Sequence, residues 1–138
     1  MKHFFFTLML TGMLCSQAAW ADAVVIIVNK DNTTGIDRNF ISKVYTGEAK
    51  IWASGEKIMA LDLPENNAER AEFSQAYLGR SVNKLKLLWM QNVFAGKANP
   101  PKVVETDEEV KKLVAANKNA IGYISASNVD SSVTVVAK

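Results

Sequence analysis

Asn66, Asn67, Ala68 and Arg70 are the residues of this sequence best suited to hold a ligand. They follow Lys57 to Leu61, which reads as a strand, and the polar loop from Asp62 to Glu65. They open a segment in which Ala71, Phe73, Tyr77 and Leu78 recur near helical spacing. A strand running through a polar loop into a helix sets unpaired N–H groups and a positive dipole end beside the strand's carboxyl end, which suits an anion. Asn67 is the expected N-cap, and Arg70, one turn in, adds a guanidinium fork that matches two oxygens of a tetrahedral oxyanion. The same residues allow a plainer reading, in which Asn67 only caps the helix and Arg70 pairs with Glu65, Glu69 or a neighbouring acid. Each of those glutamates would also repel a bound dianion by about 1 kcal/mol at exposed separations.

Other chemistry is poorly supported. Asp37, Asp62, Glu65, Glu69, Asp107, Glu108 and Glu109 are the acid–base candidates, but a catalytic pair must converge in one pocket. The last three are better explained as favourable charges in the first turn of a helix. The seven glycines are scattered rather than clustered, so no phosphate-cradling loop is present. Lys84, Lys86, Lys97, Lys102, Lys111, Lys112 and Lys118 are interleaved with acids and lack a stripe of stacking aromatics, which makes a solvated face rather than a nucleic-acid surface. Trp52, Trp89, Phe40, Phe73, Tyr77 and Phe94 read as core rather than as a ligand box. The chain is expected to be no enzyme, to bind no nucleic acid, and to carry neither cofactor nor metal.

The elements around the candidate loop follow from patterning. Val24 to Val28 is a β-branched apolar run, a strand buried on both faces. Asp37 caps a helix whose Phe40, Ile41, Val44 and Tyr45 share a face, with Gly47 ending it. Ser54-Gly55 is a turn. The helix that Asn67 opens closes at Gly79. Ser81 caps another, carrying Val82, Leu85, Leu88, Trp89 and Phe94 and ending at Gly96, and Asn99-Pro100-Pro101 is a connector. Thr106 and Glu109 form a capping-box pattern before Val110, Leu113 and Val114. Ala120 to Ile124 and Val133 to Val136 are the last strands, joined by the polar turn Ser125 to Asn128. Strands interleaved with helices predict an α/β fold, a mixed, mostly parallel sheet flanked by helices, with ligands at the carboxyl ends of strands.

The beginning of the chain reads as an address. Met1-Lys2-His3 is a short basic start, Phe4 to Cys15 is an apolar run too short to span a membrane, and Ala19-Trp20-Ala21 has small residues where a signal peptidase reads. Residues 1–21 are therefore the expected signal peptide, cut after Ala21, and residues 22–138 the exported domain. Leu14 is too bulky for a lipid-attachment signal at Cys15. Cleavage removes the single Cys and single His, so neither a Cys/His zinc site nor a His-dependent triad or dyad is available to the mature chain. With 16 basic and 14 acidic residues, and Lys2 lost with the leader, its charge is close to neutral.

Val44-Tyr45-Thr46-Gly47-Glu48-Ala49-Lys50-Ile51-Trp52 resembles the helix, Gly and Trp signature of the phosphate-binding proteins of ABC transporters. The passage Ile58 to Phe73, then Trp89, Phe94-Ala95-Gly96 and Ala120-Ile121-Gly122-Tyr123 fall in the same order as in that family. The resemblance implies a single lobe of a periplasmic binding protein (PBP-like domain, residues 22–138). It also implies a periplasmic, non-enzymatic substrate-binding protein that holds inorganic phosphate or a related oxyanion for ABC-type uptake, with a transporter permease as partner. Two departures stand out. Asp62 occupies the strand end where the family typically carries Arg, and Asn66-Asn67-Ala68 stands in place of Ser-Gly-Thr. Full-length members close two lobes over the anion, whereas this length allows one. An open helix end supplies about 1 to 3 kcal/mol, which means millimolar binding or weaker. A homodimer or an envelope protein would supply the missing wall. The alternative is a lobe that has lost its ligand and serves as a protein interaction module in the cell envelope.

Overall fold

The structure is a computed structural model that describes residues 23–137. The expected leader and its cleavage point, with His3 and Cys15, lie outside the described residues. The elements in order are β1 (Val24–Val28), α1 (Arg38–Tyr45), β2 (Met59–Asp62) and α2 (Ala68–Phe73), which continues as a π-helical turn (Ser74–Leu78). Then come α3 (Val82–Phe94), β3 (Lys102–Val103), α4 (Asp107–Ala116), β4 (Ala120–Ser125), a 3-10 turn (Ala126–Asn128) and β5 (Thr134–Ala137).

The strands form one mixed sheet in the order β3-β2-β4-β1-β5. β2 is parallel to β3 and β4, while β1 is antiparallel to both β4 and β5. All strands but β1 therefore run the same way, and β2, β3 and β4 end at one pole of the sheet. β1 is flanked on both sides and buried along its whole length, as its unbroken β-branched run requires.

Successive β4 residues point to opposite faces, and the two faces carry different helices. A Cβ built on Gly122 would stand 2.5 Å from Val110 Cγ1 and 3.6 Å from Val114 Cγ2, so α4 lies directly on the backbone there. On the other face Tyr123 stacks on Phe73 at 4.0 Å between ring centroids, and Tyr45 meets Phe73 edge-on at 4.7 Å. This aromatic cluster joins α1 and α2 to the sheet. Tyr45 Oη donates to Leu61 O (2.7 Å), which satisfies the hydroxyl inside the core.

The caps form as their residue types predict. Asp37 accepts from Phe40 N, Asn67 from Glu69 N, Ser81 from Lys84 N and Thr106 from Glu109 N. Glu109 returns its carboxylate to Glu105 N, one residue before the cap. At the end of α1, Gly47 has φ +84°, and a Cβ there would stand 3.0 Å from both Trp89 Cη2 and Asn92 Nδ2. α3 can approach because that position is glycine, and Trp89 Nε1 and Asn92 Nδ2 then donate to Tyr45 O and Thr46 O.

β3 has no counterpart in the patterning, and three further features differ from it. β2 begins at Met59 because Lys57 is held apart in an antiparallel bridge with Ile51. The segment after Phe73 widens to π geometry, and Ser74 Oγ donates to Arg80 O there. Phe94, expected in the core, is 96% exposed, because it falls opposite the buried Leu85 and Trp89 on α3.

Candidate functional site

The pole at which β2, β3 and β4 end also receives the starts of α2 and α4. Asp62, the last residue of β2, lies at its centre. Asp62 Oδ1 accepts from Leu63 N (2.9 Å) and from Tyr123 Oη, and Asp62 Oδ2 faces Arg70 Nη2 at 3.5 Å. Arg70 Nη1 donates to Leu63 O (2.8 Å), and both charged residues are buried. One carboxylate therefore sits in a cradle of backbone N–H, phenol and guanidinium. Burial pushes the Asp62 carboxyl above its ordinary range, and the bonds from Tyr123, Arg70 and Leu63 N only partly offset this. Burial likewise pushes the Tyr123 phenol far up, with the Asp62 charge acting in the same sense, so Tyr123 stays a proton donor.

The starts of the two helices are closed in the same manner. Asn67 Oδ1 accepts from Glu69 N (2.8 Å), and Glu69 Oε1 accepts from Ser125 Oγ (2.7 Å) across the pole. Asp107, in the first turn of α4, accepts through Oδ2 from Ser125 N (2.9 Å) and Asn128 Nδ2 (2.7 Å). Ser125 thus gives its backbone N–H to one carboxylate and its hydroxyl to another. Leu63 N, Tyr123 Oη, Arg70 Nη2, Ser125 N and Ser125 Oγ, donors that an external oxyanion could use, are engaged by Asp62, Glu69 and Asp107.

The structure brings Asn67 and Arg70 to this pole and commits both within the chain. Asn66, on the loop, and Ala68, the first residue of α2, are exposed. The fork of Arg70 turns inward rather than outward, and its partner is Asp62 rather than Glu65 or Glu69. Glu65 pairs with Lys86 on the surface (3.2 Å). Arg70 Nε, also buried, has no hydrogen-bond acceptor among the described residues. Tyr123, Ser125 and Asn128 complete the pole but were not singled out as site residues from the sequence. The available signal was the tetrapeptide ending in Tyr123, followed by a polar turn.

Among the described residues no cluster of three or more His, Cys, Asp or Glu residues could hold a metal ion, and no helix is long and apolar enough to cross a membrane. The arrangement can fix two loops and two helix starts to the sheet. Asp62, Glu69 and Asp107 each accept from donors of the same chain.

Residues 12–138 match the protein family described as PBP superfamily domain. A comparison with curated proteins gives no match. Among solved structures, the chain is similar to an ABC-type phosphate transport receptor from Vibrio cholerae, at 24% identity and TM-score 0.65 over 83% of this chain and 45% of the other. It is also similar to a putative phosphate ABC transporter substrate-binding protein with bound phosphate from Clostridium perfringens, at 25% identity and TM-score 0.68 over 83% and 44%. PstS from Borrelia burgdorferi matches in fold, at 16% identity and TM-score 0.65 over 84% and 47%. The chain spans a little under half the length of each.

Proposed function

This chain belongs to the PBP superfamily, and we propose that it is an exported, non-enzymatic lobe of the solute-binding type that works in the periplasm as a protein interaction module. The observation that carries this reading is the occupied pole: Asp62 already sits where Arg70, Leu63 N and Tyr123 converge. A free anion has to displace a carboxylate tethered to the same chain, whose effective concentration is millimolar or higher. The remaining pull of one helix start is too weak to do so. Export rests on the leader read from the first 21 residues.

Thermal melts of the mature protein in phosphate, sulfate, arsenate and molybdate test this reading. The expected result is no stabilisation beyond that of chloride at equal ionic strength. Capture of a specific protein from an envelope extract is the expected positive result. A saturable shift at submillimolar phosphate overturns it.

A second reading is direct capture of phosphate or a related oxyanion by Asn66, Asn67, Ala68 and Arg70, for uptake through an ABC transporter permease. Two observations favour it. The similar structures include a phosphate transport receptor and a protein with bound phosphate, and Arg70 Nε is a buried donor without an acceptor among the described residues. A homodimer or a partner protein then provides the opposite wall. Isothermal titration decides: heat with phosphate that disappears in Arg70→Ala supports capture, and no heat at millimolar phosphate removes it.

A further inference from the structure

Away from the strand-end pole, a groove of about 670 Å3 lies between the end of α1, the start of β2 and the connector that follows α3. Val44, Ile58, Met59 and Trp89 contribute apolar surface to it. Lys50, Lys57, Lys97 and Lys102 also line it, and no Asp or Glu does. Among the described residues none of these four lysines is in an ion pair. Lys50 Nζ gives one N–H to Lys97 O and keeps its charge. Four like charges around an apolar surface repel one another, and an incoming negative charge relieves that repulsion.

Val93 lines the same groove, is 51% exposed, and leads onto the outer face of α3. There Leu87 and Met90 are each 60% exposed and Phe94 96%, at the i, i+3, i+7 spacing of one helical stripe. Leu85 and Trp89 fill the inner face, so α3 is apolar on both sides, a pattern that belongs to helices covered on both sides.

We propose that the groove and the outer stripe of α3 are one docking surface for an extended segment of a partner protein, rich in both acidic and apolar side chains. The proposal rests on the reading of the chain as an interaction module and supplies the surface and the chemistry of the partner. Charge complementarity selects the acidic character, and the apolar lining with Val93, Met90 and Phe94 selects the apolar character. A second copy of the chain is disfavoured, because a two-fold interface sets the same patch against itself and brings lysines against lysines. A flat bilayer would reach Phe94 but not Trp89 inside the groove.

Selection of a random peptide library on the immobilised mature chain tests this. Enriched sequences are expected to be acidic and apolar. A synthetic copy of the leading one, followed by fluorescence anisotropy, should bind about tenfold more weakly to the Lys50→Glu/Lys102→Glu double variant and to Met90→Asp. All changed residues are exposed, and an unaltered melt confirms that the variants fold. No enrichment, enrichment without acidic bias, or affinity unchanged in both variants overturns the proposal. So does sedimentation with phosphatidylglycerol vesicles that the peptide does not compete for, or self-association that Met90→Asp abolishes. If an envelope protein is still captured by the lysine variant, this inference falls and the module reading stands. If phosphate saturates the native chain, the module reading falls whatever the selection yields.

Discussion

Removing the Asp62 carboxylate should turn an internally filled anion cradle into an open one. In Asp62→Ala the methyl remains and only the carboxylate is lost, leaving Tyr123 Oη, Leu63 N and Arg70 Nη2 without the acceptor they share. Breaking one side of a buried ion pair costs about 3 to 5 kcal/mol, because the surviving charge is stranded. For a domain of this size that corresponds to a fall in Tm of roughly 10 to 20 °C. Formate matches the missing group, and at a hundred times its Kd it should return about 2.7 kcal/mol. The assay is thermal melting of the native chain, Asp62→Ala and Asp62→Asn, each in formate and in chloride at equal ionic strength. Asp62→Asn keeps an acceptor for Tyr123 and Leu63 N, so it should lose less stability and gain less from formate. Formate that raises all three melts alike, or no better than chloride in Asp62→Ala, refutes the idea that Asp62 stands in for a bound anion.

Gly122→Ala should destabilise the fold by about 1 to 3 kcal/mol in urea titration, because its new methyl meets Val110 Cγ1 at 2.5 Å; adding Val110→Ala should recover part of the loss. Asn67→Ala should cost about 1 kcal/mol as a lost helix cap, measured the same way, and leave the response to phosphate unchanged. The raised pKa of Asp62 gives a pH dependence of definite sign. Between the ordinary carboxyl value and the raised one, the folded chain holds a proton that the unfolded chain has released, so this group's contribution to stability falls as pH rises. Urea midpoints from pH 4 to 7 should show the native chain losing stability relative to Asp62→Asn across that window.

The elements were legible where a local rule decides them. Asp37, Asn67, Ser81 and Thr106 accept from the N–H two or three residues on, as short polar residues before apolar periodicity must. The five-residue apolar run of β1 marked a flanked strand. The direction in which Arg70 points was not legible. A guanidinium near a helix start can face solvent or core, and the choice depends on Asp62 and Leu63 O at the end of β2 and on Tyr123 from β4, some sixty residues from Asp62. Phe94 was misplaced for a related reason. Its type predicts burial, but register on α3 puts Leu85 and Trp89 inward, and Phe94 follows at the opposite angle. β3 is two residues long and exists only because it pairs with Leu61 and Asp62, so it leaves no pattern of its own.

The placement of β1 bears on how the molecule is made. Among the described residues its ladder partners are β4 and β5, and Val24 stands opposite Ser125. A ribosome therefore delivers this apolar strand well before either of its neighbours, so the middle of the sheet stays unassembled until β4 and β5 have been made. Closing so long a loop is slow compared with forming local helices. During that interval β1 lacks the strands it pairs with, and any product cut short before β4 carries an orphaned apolar ribbon that proteases and chaperones can recognise.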